Sequence, residues 1–475
     1  MARNMLKYSA MRKVAFLVLL GVVAGRLVSD EIEKGKIMDR VVCRDAPGQS
    51  YALYIPPEYD PVKKWPILYA FDPGGRGREP LIRFKDGAEA RGFIVAGSNN
   101  SRNGPWKPIF EAAAAIWEDT RARLSIDDDR VFVAGFSGGA RAAALFPKMV
   151  GRPVAGVIAC GAGLAEGTGG VDNLEAAAFC GIAGTADFNY REVMELDALL
   201  DRHADIPHWF RTFDGGHVWP PAPVCAEALE WLELTDARRR GLMPDRTLAN
   251  GLIAKTAART AALEAAGSVF RAVAELEAAV SAFEDLGDTG ELVARAARLR
   301  ATGDFKKSSK KEAERARAEE ALRTELYKTL VTLEKTEILR RDLSDLFAEI
   351  DRLVRDEKSA PDTADKDHAR RVLLNVAVHA SDQGTALLEA KAFSRAILCF
   401  ELAVRASGYD PARRRVMLYN LACAHARNGN VRMALDSLRQ AVASGFSDKA
   451  LILRDPDLAA IRDRPEFREI VGRIR

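Results

Sequence analysis

Residues 130–146 read RVFVAGFSGGARAAALF. Arg130 to Ala134 is rich in β-branched and aromatic residues and favours a strand, while the stretch from Ala140 onward favours a helix. Between them Gly135-Phe136-Ser137-Gly138-Gly139 must turn the chain sharply, and strand, tight turn and helix together form a nucleophile elbow. A hydroxyl is a poor nucleophile at its own pKa, so Ser137 needs a turn that exposes it to a neighbouring imidazole. Glycines at 135 and 139 leave room for that turn. The Gly-x-Ser-x-Gly pattern alone carries little weight, since chance supplies it in roughly one chain in ten of this length. Its position between a strand and a helix is what gives it meaning.

Working outward from the elbow, short runs rich in Val, Ile, Phe and Tyr alternate with helical stretches from about residue 37 to 235. Strands are predicted at 50–55, 66–71, 92–97, 130–134, 154–160, 178–183 and 208–213, with helices at 110–124, 139–149 and 191–203. This alternation is the signature of an α/β domain with a mostly parallel sheet.

A general base for Ser137 belongs past the carboxyl end of a later strand. His217 fits, because it follows the strand 208–213 in the glycine-marked segment Phe213-Asp214-Gly215-Gly216-His217. Of the other five histidines, His203 falls on a helix, His208 begins a strand at the wrong edge, and His368, His379 and His425 belong to the helical half. Those five read as structural. The imidazole needs a carboxylate to fix its tautomer, and Asp187, closing GIAGTAD past another strand end, is the candidate. Asp214 is nearer to His217 in sequence but reads as an organiser of its own loop.

The chain order Ser, Asp, His is that of α/β-hydrolases. The stretches DDDRVFVAGFSGGA, GTADFNY and GGHVWP resemble secreted esterases related to polyhydroxybutyrate depolymerases and feruloyl esterases, over about residues 40–235. The resemblance implies an α/β-hydrolase fold and ester hydrolysis through an acyl-enzyme, with Ser137, Asp187 and His217 as the triad. One feature departs from that family: after the strand 66–71, where its members show His-Gly, this chain has Asp72-Pro73-Gly74-Gly75-Arg76. Proline has no N–H to offer, so the oxyanion hole is expected from the amides of Gly138 and Gly74, with Gly75 as substitute. Asp72 would oppose a developing oxyanion unless turned away toward Arg76.

Trp106, Phe188 and Trp219 fall on loops near the same edge and are candidate substrate-binding residues. The run GAGLAEGTGG (161–170) lacks the Lys-Ser/Thr of a phosphate-binding loop and reads as a loop or lid at the active edge. Asp127, Asp128 and Asp129 fit a turn before a strand. Neither a metal nor a cofactor is expected.

After residue 235 glycine and proline thin out and Ala, Glu, Leu, Lys and Arg take over with helical periodicity. Residues 236–367 read as an all-α connector, broken near 300–311, where Lys306, Lys307, Lys310 and Lys311 fit a solvated helix entry. In 368–475 Ala396, Phe400 and Ala403 recur as Ala434, Leu438 and Ala441, at a constant offset of 38. With Gly384, Leu387, Leu418, Leu421 and Ala422 before them, these residues resemble tetratricopeptide repeats, whose usual period is 34. That resemblance implies helical hairpins that bind a protein partner or a second copy of the chain.

At the start, Arg3, Lys7, Arg12 and Lys13 precede the apolar run Val14 to Val23 and then Ala24 and Gly25, the order of a secretory signal. The run is shorter than the roughly 20 residues a membrane span requires. Residues 1–24 are therefore expected to be cleaved and the protein to be periplasmic or secreted, with a membrane anchor only if cleavage fails. Seventy Lys and Arg against 67 Asp and Glu give a formal charge of +3, too balanced to supply a nucleic-acid-binding field. Six cysteines without a Cys-x-x-Cys spacing exclude a zinc ribbon or thioredoxin-like centre. The sequence thus describes an exported serine hydrolase acting on an ester and fused to helical repeats. The rival reading is a hydrolase-fold scaffold without turnover, and acyl or peptidyl transfer would use the same residues.

Overall fold

A computed structural model describes residues 33–474 except 166, 168, 175, 176, 204, 361 and 362. The expected signal segment 1–24 lies outside the described residues, among which no helix is long and apolar enough to cross a membrane.

Among the described residues eight strands form one sheet: β1 (Ile37–Val42), β2 (Ser50–Tyr54), β3 (Trp65–Phe71), β4 (Ile94–Ser98), β5 (Ile126–Phe136), β6 (Gly156–Cys160), β7 (Ala178–Gly184) and β8 (His208–Phe213). Their spatial order is β1-β2-β4-β3-β5-β6-β7-β8. β2 runs antiparallel to both β1 and β4, and every pairing from β4 through β3 to β8 is parallel. This is the α/β-hydrolase fold. The parallel strands are buried on both faces, which is why they read as near-continuous apolar runs.

The helices α1 (Arg78–Arg91), α2 (Trp106–Arg123), α3 (Gly138–Val150), α4 (Tyr190–Leu200) and α5 (Ala222–Arg239) cover the sheet. Leu81 and Phe84 of α1 and Leu229 and Leu232 of α5 share a core with Leu68, Phe132 and Ile158 on one face. Residues of α2, α3 and α4 pack with Tyr69, Val133 and Phe179 on the other. Three elements go beyond the sequence prediction: β1, α1 and α5. Proline and glycine inside α1, and the charged Asp39-Arg40 in β1, mask the periodicity of both.

Among the described residues eleven helices follow: α6 (Arg246–Ala265), α7 (Val269–Phe283), α8 (Gly290–Arg300), α9 (Gly303–Lys335), α10 (Ser344–Ser359), α11 (Thr363–Glu389), α12 (Phe393–Ala406), α13 (Pro411–Arg427), α14 (Val431–Ala443), α15 (Lys449–Arg454) and α16 (Pro465–Gly472). The expected boundary at 235/236 falls inside α5, and that at 367/368 inside α11. The break expected over 300–311 narrows to Ala301-Thr302, where the Thr302 hydroxyl caps α9 by accepting from the Phe305 amide. The four lysines lie exposed on the first turns of α9.

Helices α6–α8 are more than a connector, because their apolar faces continue the core of the sheet. Phe283 packs edge-on against Trp209 of β8 at 5.0 Å, and the Trp231 indole donates to the Ala282 carbonyl. A polar seam runs beside them, with Thr212 Oγ1 donating to Glu275 and Arg259 bridging Glu275 to Glu227. Helices α9–α12 enclose a second core, and α13–α16 a third. Within them α11/α12 and α13/α14 form two hairpins. The repeating Ala396, Phe400, Ala403 and Ala434, Leu438, Ala441 are all buried, and a Cβ at Gly384 would come within 2.9 Å of the Phe400 ring.

The two halves meet at Glu319 of α9. Its carboxylate accepts from Arg191 of α4 at 3.2 Å and from Arg371 of α11, with His368 Nδ1 at 3.4 Å. Burial alone would raise this carboxyl, but His368, Arg371 and Arg191 hold it down to about 2. A folded-state pKa below the unfolded one stabilises the fold above the unfolded value, and the contribution is lost as pH falls through the folded value. The midpoint of urea unfolding is therefore expected to fall between about pH 4.5 and 2. Glu319→Gln should be less stable than wild type at neutral pH and should converge on it in acid. Equal pH slopes for the two proteins would remove Glu319 from the account.

Candidate active site

The site is assembled where strands end. β5 stops at Phe136, and Ser137 adopts φ 55° and ψ −124° before α3 begins. Positive φ is costly for a residue with a side chain, so the turn must be held from several directions. The Ser137 amide donates to the Cys160 carbonyl at the end of β6 at 2.8 Å, and its own carbonyl accepts from Ala140. The flanking glycines are required by proximity. A Cβ at Gly135 would overlap the Gly139 carbonyl, and one at Gly139 would overlap the Phe71 carbonyl at the end of β3.

His217 and Asp187 arrive from the next strand ends. Asp187 follows β7 in a turn closed by its amide on the Gly184 carbonyl at 3.0 Å, and its side chain is buried. His217 follows β8. Its Nδ1 lies 2.9 and 3.0 Å from the two Asp187 carboxylate oxygens, and its Nε2 lies 2.9 Å from Ser137 Oγ. An ionised carboxylate only accepts, so Nδ1 carries the proton and Nε2 is left free to accept from the serine hydroxyl. The imidazole is held between the rings of Phe136 at 4.6 Å and Phe188 at 4.4 Å. Asp214 turns outward to Arg271 and leaves the imidazole to Asp187. Asp127, Asp128 and Asp129, expected in a turn before the strand, lie inside β5, which starts four residues earlier than predicted; there Asp128 pairs with Arg121 and Asp127 Oδ1 accepts from the Asp129 amide.

The oxyanion hole departs from the sequence expectation. Gly138 opens α3, so its amide has no intrahelical acceptor. Gly74 is already committed: its amide donates to Asp72 Oδ1 at 2.8 Å. Gly75, the substitute, donates to the Asp72 carbonyl at 3.0 Å. Neither amide can serve a carbonyl oxygen of a substrate without breaking the turn. The polar group that lies against Gly138 is the side chain of Asn103, whose carboxamide occupies the space a Cβ at 138 would need. Asn103 is tied to the same loop by its amide, which donates to the Pro73 carbonyl at 2.8 Å.

Asp72 is wholly buried, with both carboxylate oxygens bonded to Arg76. Burial alone would raise its carboxyl, yet Arg76, the Trp219 indole and the Gly74 amide together hold it below the usual range. Arg76 Nε and Nη2 donate at 2.8 and 3.0 Å, and Trp219 Nε1 at 2.8 Å. Trp219 is thereby corrected from a substrate contact to a buried anchor, packed on Phe136 at 5.5 Å. Trp106 is partly exposed at the start of α2, edge-on to Phe110 at 6.5 Å. Of the three aromatic candidates, Phe188 is the one that touches the triad. It also walls a cleft of about 410 Å³ shared with Arg141 of α3 and with Leu326, Val376 and His379 of α9 and α11.

The sequence did not point to Asn103, Phe136 or the contribution of α11. Asn103 sits in an Asn- and Ser-rich loop that carries no positional signal, and α11 reaches the site only through tertiary packing. Two groups of potential ligands gather elsewhere among the described residues, Asp197-Asp201-His208 and Cys423-Asp455-Asp457. The first sits where β8 starts, at the edge of the sheet opposite the triad, and the second on the outer hairpin. All six cysteines are free and buried. Trp219→Phe removes a donor from a buried carboxylate and should lower stability by about 1–3 kcal/mol in urea unfolding at neutral pH. An unchanged midpoint would show that the indole is dispensable there.

No protein-family model matches the chain. Among solved structures, it is similar to S-formylglutathione hydrolase from Staphylococcus aureus, at 14% identity and TM-score 0.34 over 42% of this chain and 98% of that one. It is similar also to a ferulic acid esterase, at 18% identity and TM-score 0.34 over 42% of this chain and 98% of that one. A hyperthermophilic esterase from the archaeon Pyrobaculum calidifontis matches at 13% identity and TM-score 0.33, over 44% of this chain and 87% of that one.

Proposed function

We propose that the protein is an exported serine hydrolase that cleaves carboxylic esters through an acyl-enzyme. The reading is carried by one observation, the continuous hydrogen-bonded chain Ser137 Oγ, His217 Nε2, His217 Nδ1 and Asp187 with links of 2.9 Å. As Ser137 Oγ attacks the ester carbonyl, its proton passes to His217 Nε2, and the buried Asp187 carboxylate stabilises the imidazolium. The same Nε2 proton then goes to the departing alcohol. Water, deprotonated by His217 in turn, releases the acid and restores the serine.

The oxyanion is met by the Gly138 amide and by Asn103, whose carboxamide presents Nδ2 beside that amide after a half-turn about its terminal bond. Asp72 does not oppose it, because its charge is compensated by Arg76. The cleft beside Phe188 mixes apolar walls with Arg141, Glu192, Arg323 and His379, which favours a compact ester bearing polar groups over a long fatty acyl chain. In this reading the outer hairpins offer a surface to a protein partner or a second copy.

A fluorophosphonate probe tests the reading. Wild type should be labelled and Ser137→Ala should not, while folded wild type that resists the probe would favour the scaffold without turnover. Asp187→Asn, which leaves the imidazole in the wrong tautomer, should lower kcat by about 10³–10⁴-fold. Asn103→Ala should lower kcat by about 10²-fold at nearly constant KM, the loss expected of one oxyanion donor. A panel of esters of increasing acyl length should show the highest kcat/KM at the short end.

A further inference from the structure

The turn that carries Asp187 is built by both halves of the chain. Within the hydrolase half its amides are satisfied: Thr185 donates to the Phe213 carbonyl at 2.9 Å, Ala186 to Gly215 at 2.8 Å, and Tyr190 to Asp187 at 2.9 Å. The Thr185 carbonyl is satisfied from elsewhere. It accepts from Arg371 Nη1 at 2.7 Å, a side chain on α11 186 positions later in the chain. Arg371 is 4% exposed, and its guanidinium lies over the Tyr190 ring at 4.7 Å. Two helical turns further along α11, His379 meets the edge of Phe188 at 6.2 Å, and the other side of Phe188 lies against His217. Residues 371, 375 and 379 follow an i, i+4, i+8 spacing and so share one face of the helix. That face touches positions 185, 188 and 190, on either side of the acid.

We propose that Arg371 is a positioning residue for the triad, holding the Asp187 turn from the helical half, with His379 bracing the imidazole through Phe188. The proposal rests on the serine-hydrolase reading above. It gives α9 and α11 a role in turnover as well as in packing. Glu319, fixed by Arg191 from the hydrolase half, sets the guanidinium in place. Arg371 can then satisfy the Thr185 carbonyl and cover Tyr190 at once. A lysine at 371 could replace the charge and a single donor but not the flat stack on the ring.

The test compares the full-length Arg371→Met, Arg371→Lys and His379→Ala proteins with wild type. Each is normalised to serine labelled by fluorophosphonate, so that misfolded protein is not counted. Arg371→Met should lose roughly 10–100-fold in kcat at nearly constant KM, the scale of a small misplacement of a catalytic group, and Arg371→Lys should recover part of the loss. His379→Ala removes a side chain that is solvent-exposed in the cleft beside Phe188, so it should keep the wild-type melting temperature while losing several-fold in kcat. This second variant decides the matter if Arg371→Met does not fold. Labelled variants with wild-type kcat, or a loss carried wholly by KM, would overturn the positioning role and leave the hydrolase reading intact. A wild type that takes no label would overturn both.

Discussion

The constraint on which the rest depends is the left-handed turn at Ser137. A residue with a side chain resists that conformation by about 1–2 kcal/mol, and here it persists because strands β3, β5 and β6 and helix α3 all converge on it. The backbone at Gly139 lies directly on the Phe71 carbonyl, and Gly135 lies on Gly139. Added carbon at either position would push α3 off the sheet and relax the turn. The strain places the hydroxyl at the carboxyl edge of the sheet, where the turns after β7 and β8 can reach it. Because β5, β6, β7 and β8 are successive neighbours in the sheet, acid and base arrive from the same side in order, and no long loop is needed to bring them in.

This geometry also explains what the sequence disclosed. Ser137, Asp187 and His217 each follow a strand end and carry glycine nearby, so apolar runs and loop glycines sufficed to single out three residues that the fold brings within hydrogen-bonding distance. What escaped were relations that leave no local trace. Gly74 looks like a free donor until the Asp72 carboxylate is seen to take its amide. Trp219 reads as a pocket wall until its indole is found on the same carboxylate. β1 has exposed Asp39 and Arg40 at its centre, and α1 contains Gly87 because α5 crosses close over it, with Ala226 within 3.0 Å of a Cβ placed there. In each case tertiary packing chose a residue that local propensity would not.

The carboxylate of Asp72 sits beside the site without leaving an uncompensated charge there, for a physical reason. A buried carboxylate without partners would be expensive, but this one is bound by Arg76, Trp219 and Gly74, so it is a satisfied ion with its charge compensated. The same bonds consume the amide that a backbone oxyanion hole would have used. The same loop fixes the neighbouring segment, since the Pro73 carbonyl accepts from the Asn103 amide and the Asn103 carboxamide lies against Gly138.

The helical half is joined to the α/β half by interactions that do not separate cheaply. Domains joined by a tether share few contacts, and those are mostly polar and exposed. Here Phe283 and Leu276 complete a core begun by Trp209 and Trp231, and Arg371 is buried against a carbonyl of the acid turn. Parting α9 and α11 from the α/β half would break the bond from Arg371 to the Thr185 carbonyl and the pair between Glu319 and Arg191, the first buried and the second partly buried. Motions of α11 and of the Asp187 turn must then be correlated in the folded protein. Helix α12 packs on α11 and α13 on α12, and Tyr409, Asp410 and Arg413 share a cleft with the His217 loop, so the repeat hairpins border the triad directly as well as through the helix that carries Arg371 and His379.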